Sequence, residues 1–138
     1  MQMQDAYSTL RSRWIAGERD RELALNLSFF AWMHWADPPS ITGLSDDPAA
    51  AGLWHETFNY LGGEQSSDPE ALFVFGLMAN LFPWALGDYD EWTERAGRME
   101  ARLSQIQPSG LPVSTFEDRG EYGNYFNHHL RSWGSAST

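Results

Sequence analysis

The longest apolar run in the chain lies between Ala71 and Leu86, where Asn80 is the one clearly polar side chain. These sixteen residues contain Pro83 and have acids at both ends, and they fall short of the roughly 20 apolar residues that a bilayer crossing needs. The run therefore predicts the central, buried helix of a soluble domain. Ser67-Asp68-Pro69-Glu70 reads as its start: Ser67 or Asp68 can accept from the orphan amides, Pro69 gives up no needed N–H, and Glu70 can reach back toward the cap. Pro83 cannot donate to the carbonyl of Ala79 and is expected to kink the last turn.

Helical spacing recurs along the rest of the chain. Tyr7, Leu10 and Trp14 fall three and four apart and predict an amphipathic helix over 5–16, with Arg11 and Arg13 turned away and Gly17 as its stop. The next helix, to Ala36, is apolar on most of its circumference; only Asn26, Ser28 and His34 interrupt the run from Leu23, so it should be interior and pack on the central helix. Asp37-Pro38-Pro39 ends it. Residues 40–46 read as a loop with Ile41 and Leu44 tucked against the core. Asp47-Pro48 opens a third helix that buries Leu53, Trp54, Thr57, Phe58 and Leu61, and Gly62-Gly63 ends it. Tyr89, Trp92, Ala96, Met99, Leu103 and Ile106 form a narrow stripe with Glu91–Arg95 and Glu94–Arg98 pairs on the opposite face. An extended connector over 111–116, with Ser114 and Glu117 spaced for a capping box, leads to a last helix over 118–133 that Gly120 and Gly123 weaken. Residues 134–138 are expected to form a mobile tail. No stretch alternates like a strand, so the fold class is all-α: one compact domain, 1–133, of five to six helices.

Residues 71–108 carry an apolar helix, the turn Gly87-Asp88-Tyr89-Asp90-Glu91, an amphipathic helix and a closing Pro108. This order resembles a tetratricopeptide-type helical hairpin. The resemblance implies partner binding on a helical surface and carries over no catalytic residue.

Composition narrows the chemistry. Cys and Lys are both absent, which excludes disulfides, thiolate metal sites, cysteine nucleophiles, Schiff bases and a phosphate-loop lysine. The opening MQMQDAYSTLRSRW has no apolar run behind its charges, so it reads as neither a secretory signal nor a membrane anchor, and the cytoplasm is the expected compartment. The formal charge is −10, and from Asp37 to Glu91 there are ten acids and no Arg. That stretch disfavours nucleic acid and suits a basic partner; acids that cap helices and keep the chain soluble would account for it as well.

Four His residues invite a metal or small-molecule reading: His34, His55 and the pair His128-His129. His55-Glu56 begins the HExxH pattern, but Asn59 stands where the second ligand belongs. The Ser residues and the acid pairs Asp46-Asp47 and Asp88-Asp90 lie where capping explains them, and no GxSxG elbow exists. Asn80 needs a partner inside an apolar helix, either the backbone at Pro83 or His34 across the helix pair. With seven Trp in the chain, those at helix ends, Trp35, Trp84 and Trp133, are candidates for a recognition surface. These observations predict a non-catalytic protein–protein interaction domain without cofactor, membrane or nucleic-acid partner, binding a basic protein or a second copy of itself. The alternative is a small-molecule or metal site using His34 and His55. Ligand or partner contacts are expected at His34, Trp35, His55, Asn80 and Trp84.

Overall fold

The computed structural model describes the backbone of residues 3–137 and the side chains of residues 3–130. The fold is all-α, with no strand among the described residues: α1 (Met3–Ile15), α2 (Arg21–Ala36), α3 (Pro39–Thr42), α4 (Ala50–Tyr60), α5 (Pro69–Leu81), α6 (Tyr89–Ile106) and α7 (Gly120–Ser137). Single 3-10 turns, Gly63–Gln65 and Pro83–Ala85, flank α5.

Capping chemistry fixes most of the boundaries. Asp20, Asp68 and Asp88 each accept backbone N–H groups at the starts of α2, α5 and α6. Gly17, at φ +101°, ends α1 in a Schellman arrangement, with its own N–H on the Trp14 carbonyl and that of Glu18 on Arg13. Pro83 ends α5 at Leu81 instead of kinking it, and the chain restarts as a 3-10 turn. The expected loop after α2 contains the one-turn helix α3, started by Pro39; there Ile41 points to solvent and Thr42 and Leu44 are buried. Asp47 does not cap α4 directly. It accepts from Ala49 N–H two residues on, and α4 begins at Ala50. Glu117 N–H bonds to the Ser114 carbonyl in a turn, and Asp118, at φ +56°, holds the chain out of helix until Gly120. α7 then runs to Ser137, past the expected stop at Trp133. The side chains from Arg131 onward, Trp133 included, and residue 138 lie outside the described residues, as does the tail expected there.

The two all-round apolar helices are interior: every residue from Glu70 to Ala79 is buried, and from Leu23 to Met33 only Asn26 is not. They are not each other's main neighbours, however. The closest backbone partners of α2 are α4 and α1, and α5 pairs with α6. α2 and α5 meet through side chains, Trp32 with the Phe82 ring 5.7 Å away and Arg21 on Glu70. Trp54 ties α4 to α5, stacked on Phe58 of its own helix, edge-on to Phe75 and donating to Met78 Sδ. α7 closes the core by laying Tyr122 and Phe126 on Phe29.

α5 and α6 form an antiparallel hairpin: Arg102, late in α6, donates to the carbonyl of Ser66 just before α5. Gly76 lies at their contact, where an added Cβ would sit 3.5 Å from Met99 Cβ, an ordinary contact distance. Because the site has room and a helical backbone, Gly76→Ala is expected to stabilise the protein by about 0.5–1 kcal/mol. Thermal denaturation checks this, and a lower melting temperature would mean that the hairpin cannot take even one methyl group.

Candidate functional site

The turn from α5 to α6 is held on several sides. Phe82 N–H bonds to the Met78 carbonyl and Leu86 N–H to the Pro83 carbonyl. His55, from α4, donates through Nε2 to the Leu86 carbonyl at 2.8 Å. Gly87, at φ +155°, lies so close to Trp92 that a Cβ would come within 2.7 Å of the indole nitrogen. Asp88 accepts Glu91 N–H at 2.9 Å and starts α6. On this fixed turn Trp84 is 59% exposed, Tyr89 60% and Leu81 38%, with the half-buried Phe82 ring 6.0 Å from that of Trp84.

Folding changes the meaning of the acidic stretch. Five of its ten acids, Asp47, Glu64, Asp68, Glu70 and Glu91, are ion-paired by Arg11, Arg21, Arg95, Arg98 and Arg119 from outside the stretch. The remaining described arginines are engaged too: Arg13 with Glu18, Arg19 on the Trp14 carbonyl and over its ring, Arg102 on the Ser66 carbonyl. Asp37, Asp46, Glu56, Asp88 and Asp90 have no ion pair among the described residues, and Glu56 accepts from Trp14 Nε1. Asp88 and Asp90 flank Tyr89.

These pairings shift acidities. Burial opposes ionisation of Asp68, but Arg21 and the α5 amides outweigh it and hold the carboxyl below its ordinary 3.8. Asp47 behaves alike: burial is outweighed by the Tyr7 hydroxyl at 2.6 Å, Ala49 N–H and Arg11. The Arg98 hydrogen bond, against a smaller burial effect, holds Glu64 below 4.5. A depressed folded-state pKa stabilises above the unfolded value and is lost as pH falls through the folded one. The contribution of these three carboxylates is thus expected to be level above roughly pH 5 and to decline steadily in more acid solution. Urea midpoints across that range would test it, and a flat profile would show that these pairs contribute nothing.

The other expected site residues have local roles. His34 Nδ1 donates to the Phe30 and Ala31 carbonyls at 2.9 and 3.0 Å, and its ring stands 4.6 Å from Tyr7 and 6.5 Å from Trp35. His55 is spent on Leu86 and packs edge-on to Trp54 and Trp92. Asn80, expected to need an interior partner, is exposed; it borders a shallow groove between α5 and α6 whose far wall is Glu100 and Leu103, and neither His34 nor His55 lines that groove. Among the described residues no three His, Asp or Glu side chains are placed to hold a metal.

Sequence reasoning missed two clusters. Asp47 gathers Tyr7 and Arg11, which is therefore not turned away from the fold. Glu70, 5% exposed, accepts from Arg21 at 3.0 Å, Arg119 at 2.8 Å and the Tyr122 hydroxyl at 2.6 Å. Nothing local marks either cluster, because the partners lie 36 to 52 residues away along the chain.

No family model, curated protein or solved structure matches the chain. The fold and this surface define its class: an all-α helical domain with a fixed, exposed aromatic turn. No helix among the described residues is long and apolar enough to cross a membrane.

Proposed function

We propose that this protein is a non-catalytic, cytoplasmic interaction domain that docks another protein on the turn between α5 and α6. The observation that supports it is the pairing of exposure with rigidity: Trp84 and Tyr89 are among the largest side chains in solvent, on backbone held by His55, Gly87 and Asp88. Tryptophan and tyrosine dominate binding energy at protein interfaces, and a fixed support limits the ordering cost of association. The hairpin order of residues 71–108, similar to a tetratricopeptide unit, fits partner binding on helices. His34, His55, Ser28 and Thr57 are engaged by backbone carbonyls, so the reading calls on none of them as a general base. Nucleic acid is not the proposed partner, because every described Arg is engaged within the fold.

A photo-crosslinking side chain at position 84 tests the reading. It is expected to give one discrete adduct in cells, with a partner or with a second copy, and the same group at position 117 is expected to give none. Once the partner is in hand, Trp84→Ala should weaken its binding by about 2 kcal/mol, roughly 30-fold in Kd. Absence of a discrete adduct from position 84 would reject the turn as the docking site.

A further inference from the structure

We infer that the segment seated on this turn is cationic, an arginine-rich stretch of a different protein whose guanidinium groups lie over Trp84 and Tyr89 and pair with Asp88, Asp90 and Glu91. The inference rests on the docking reading and names the partner's chemistry. Three observations carry it. The chain's formal charge is −10, and its described arginines are already committed, so the protein holds few cations with which to neutralise this turn. Among the described residues only Glu91 of the three acids has an ion pair, with Arg95 at 3.9 Å, and that guanidinium also lies 4.5 Å from the Trp92 ring centre. A neutral partner would strip water from Asp90 and leave it unpaired, which is costly; a cation removes that cost.

The fold already uses the same recognition three times. Arg19 stands 3.7 Å over Trp14, Arg95 4.5 Å over Trp92 and Arg119 5.2 Å over Tyr122. In each case a carboxylate or carbonyl holds the guanidinium in place. Among the described residues no cation stands over Trp84 or Tyr89, so the turn presents the aromatic and acidic half of that arrangement without its Arg. A second copy cannot supply the missing half through the same surface, since a two-fold contact would bring the acids of one turn against those of the other.

Fluorescence anisotropy with a labelled arginine nonapeptide tests this, with a glutamate nonapeptide as control. The expected result is saturable, salt-sensitive binding of the arginine peptide only. Trp84→Ala and the double variant D90N/E91Q should each weaken it about tenfold, whereas E117Q/E121Q, which removes two charges near the start of α7, should change it by less than about twofold. Circular dichroism of each variant checks that the helices persist. Equal weakening by the two charge variants, or none by Trp84→Ala, would mean diffuse attraction and would overturn the inference. Failure of the arginine peptide to bind, with the adduct from position 84 still present, would overturn the cationic partner and leave the docking site standing. Loss of both would reject the two together.

Discussion

Glu70→Ala is expected to destabilise the fold by about 3 kcal/mol, the low end of the cost of breaking a buried charge pair from one side. Glu70 sits in the first turn of α5, 5% exposed, where the Arg21, Arg119 and Tyr122 side chains converge on its two oxygens. The alanine variant would leave these donors unequal. Arg21 keeps Asp68, and Arg119 keeps Glu22 and the Thr115 carbonyl. Tyr122 is fully buried and keeps nothing, and an unsatisfied buried hydroxyl is the larger part of the penalty. Burial, and then the Glu70 charge, push the Tyr122 phenol far above its ordinary 10, so it remains a donor at any working pH. Tyr122→Phe removes the stranded group along with its bond and should cost only about 1 kcal/mol. In the double variant the two effects should not add, because the hydroxyl that Glu70→Ala strands is gone. Urea titrations of the three proteins measure this; additive costs, or a Glu70→Ala variant as stable as its parent, would show that the carboxylate is not the hub.

The legible parts of this fold were those determined by neighbours in sequence. Three and four residues separate the apolar positions that make α1 and α6 one-faced, and the all-round apolar character of α2 and α5 required burial wherever they went. Caps at Asp68 and Asp88 were readable for the same reason. What could not be read was which helix lies beside which. α2 and α5 each needed cover, and α4 and α6 provided most of it, a choice made by long-range packing that no local pattern encodes. The same limit governed charge. Glu70 looked like half of a capping box because its position in α5 allows that role, and its three actual partners are about 50 residues distant. Residues 37–91 looked uniformly acidic because the arginines that pair with them are supplied by α1, α2, α6 and the segment before α7. Charge counted along a chain becomes a surface property only after those pairs are subtracted, and the remainder is what concentrates attention on Asp88 and Asp90. Trp84 was visible as a candidate from its place at a helix end, whereas Asn80, one turn earlier, turns outward and needs no interior partner.

Gly123→Ala is expected to cost on the order of 3 kcal/mol, although alanine is the better helix former by about 1 kcal/mol. From sequence, Gly123 is a weakness in the last helix. In the structure it is buried, and a Cβ there would lie 2.3 Å from the Phe116 carbonyl oxygen and 2.8 Å from Arg119 Cβ. The nearer obstacle is backbone, which cannot rotate away as a side-chain tip could, so either the connector before α7 or the start of α7 must move. Both choices disturb other parts. Phe116 is buried with its ring 5.8 Å from Phe73 and 5.9 Å from Tyr122, and Arg119 and Tyr122 carry two of the contacts on Glu70. A displaced α7 would thus loosen the Glu70 cluster without touching its residues, and Gly123→Ala and Tyr122→Phe should cost less together than the sum of their separate effects. Gly76→Ala, the same substitution where a methyl group fits, is the control: opposite signs for the two glycines would assign the difference to close packing rather than to helix propensity.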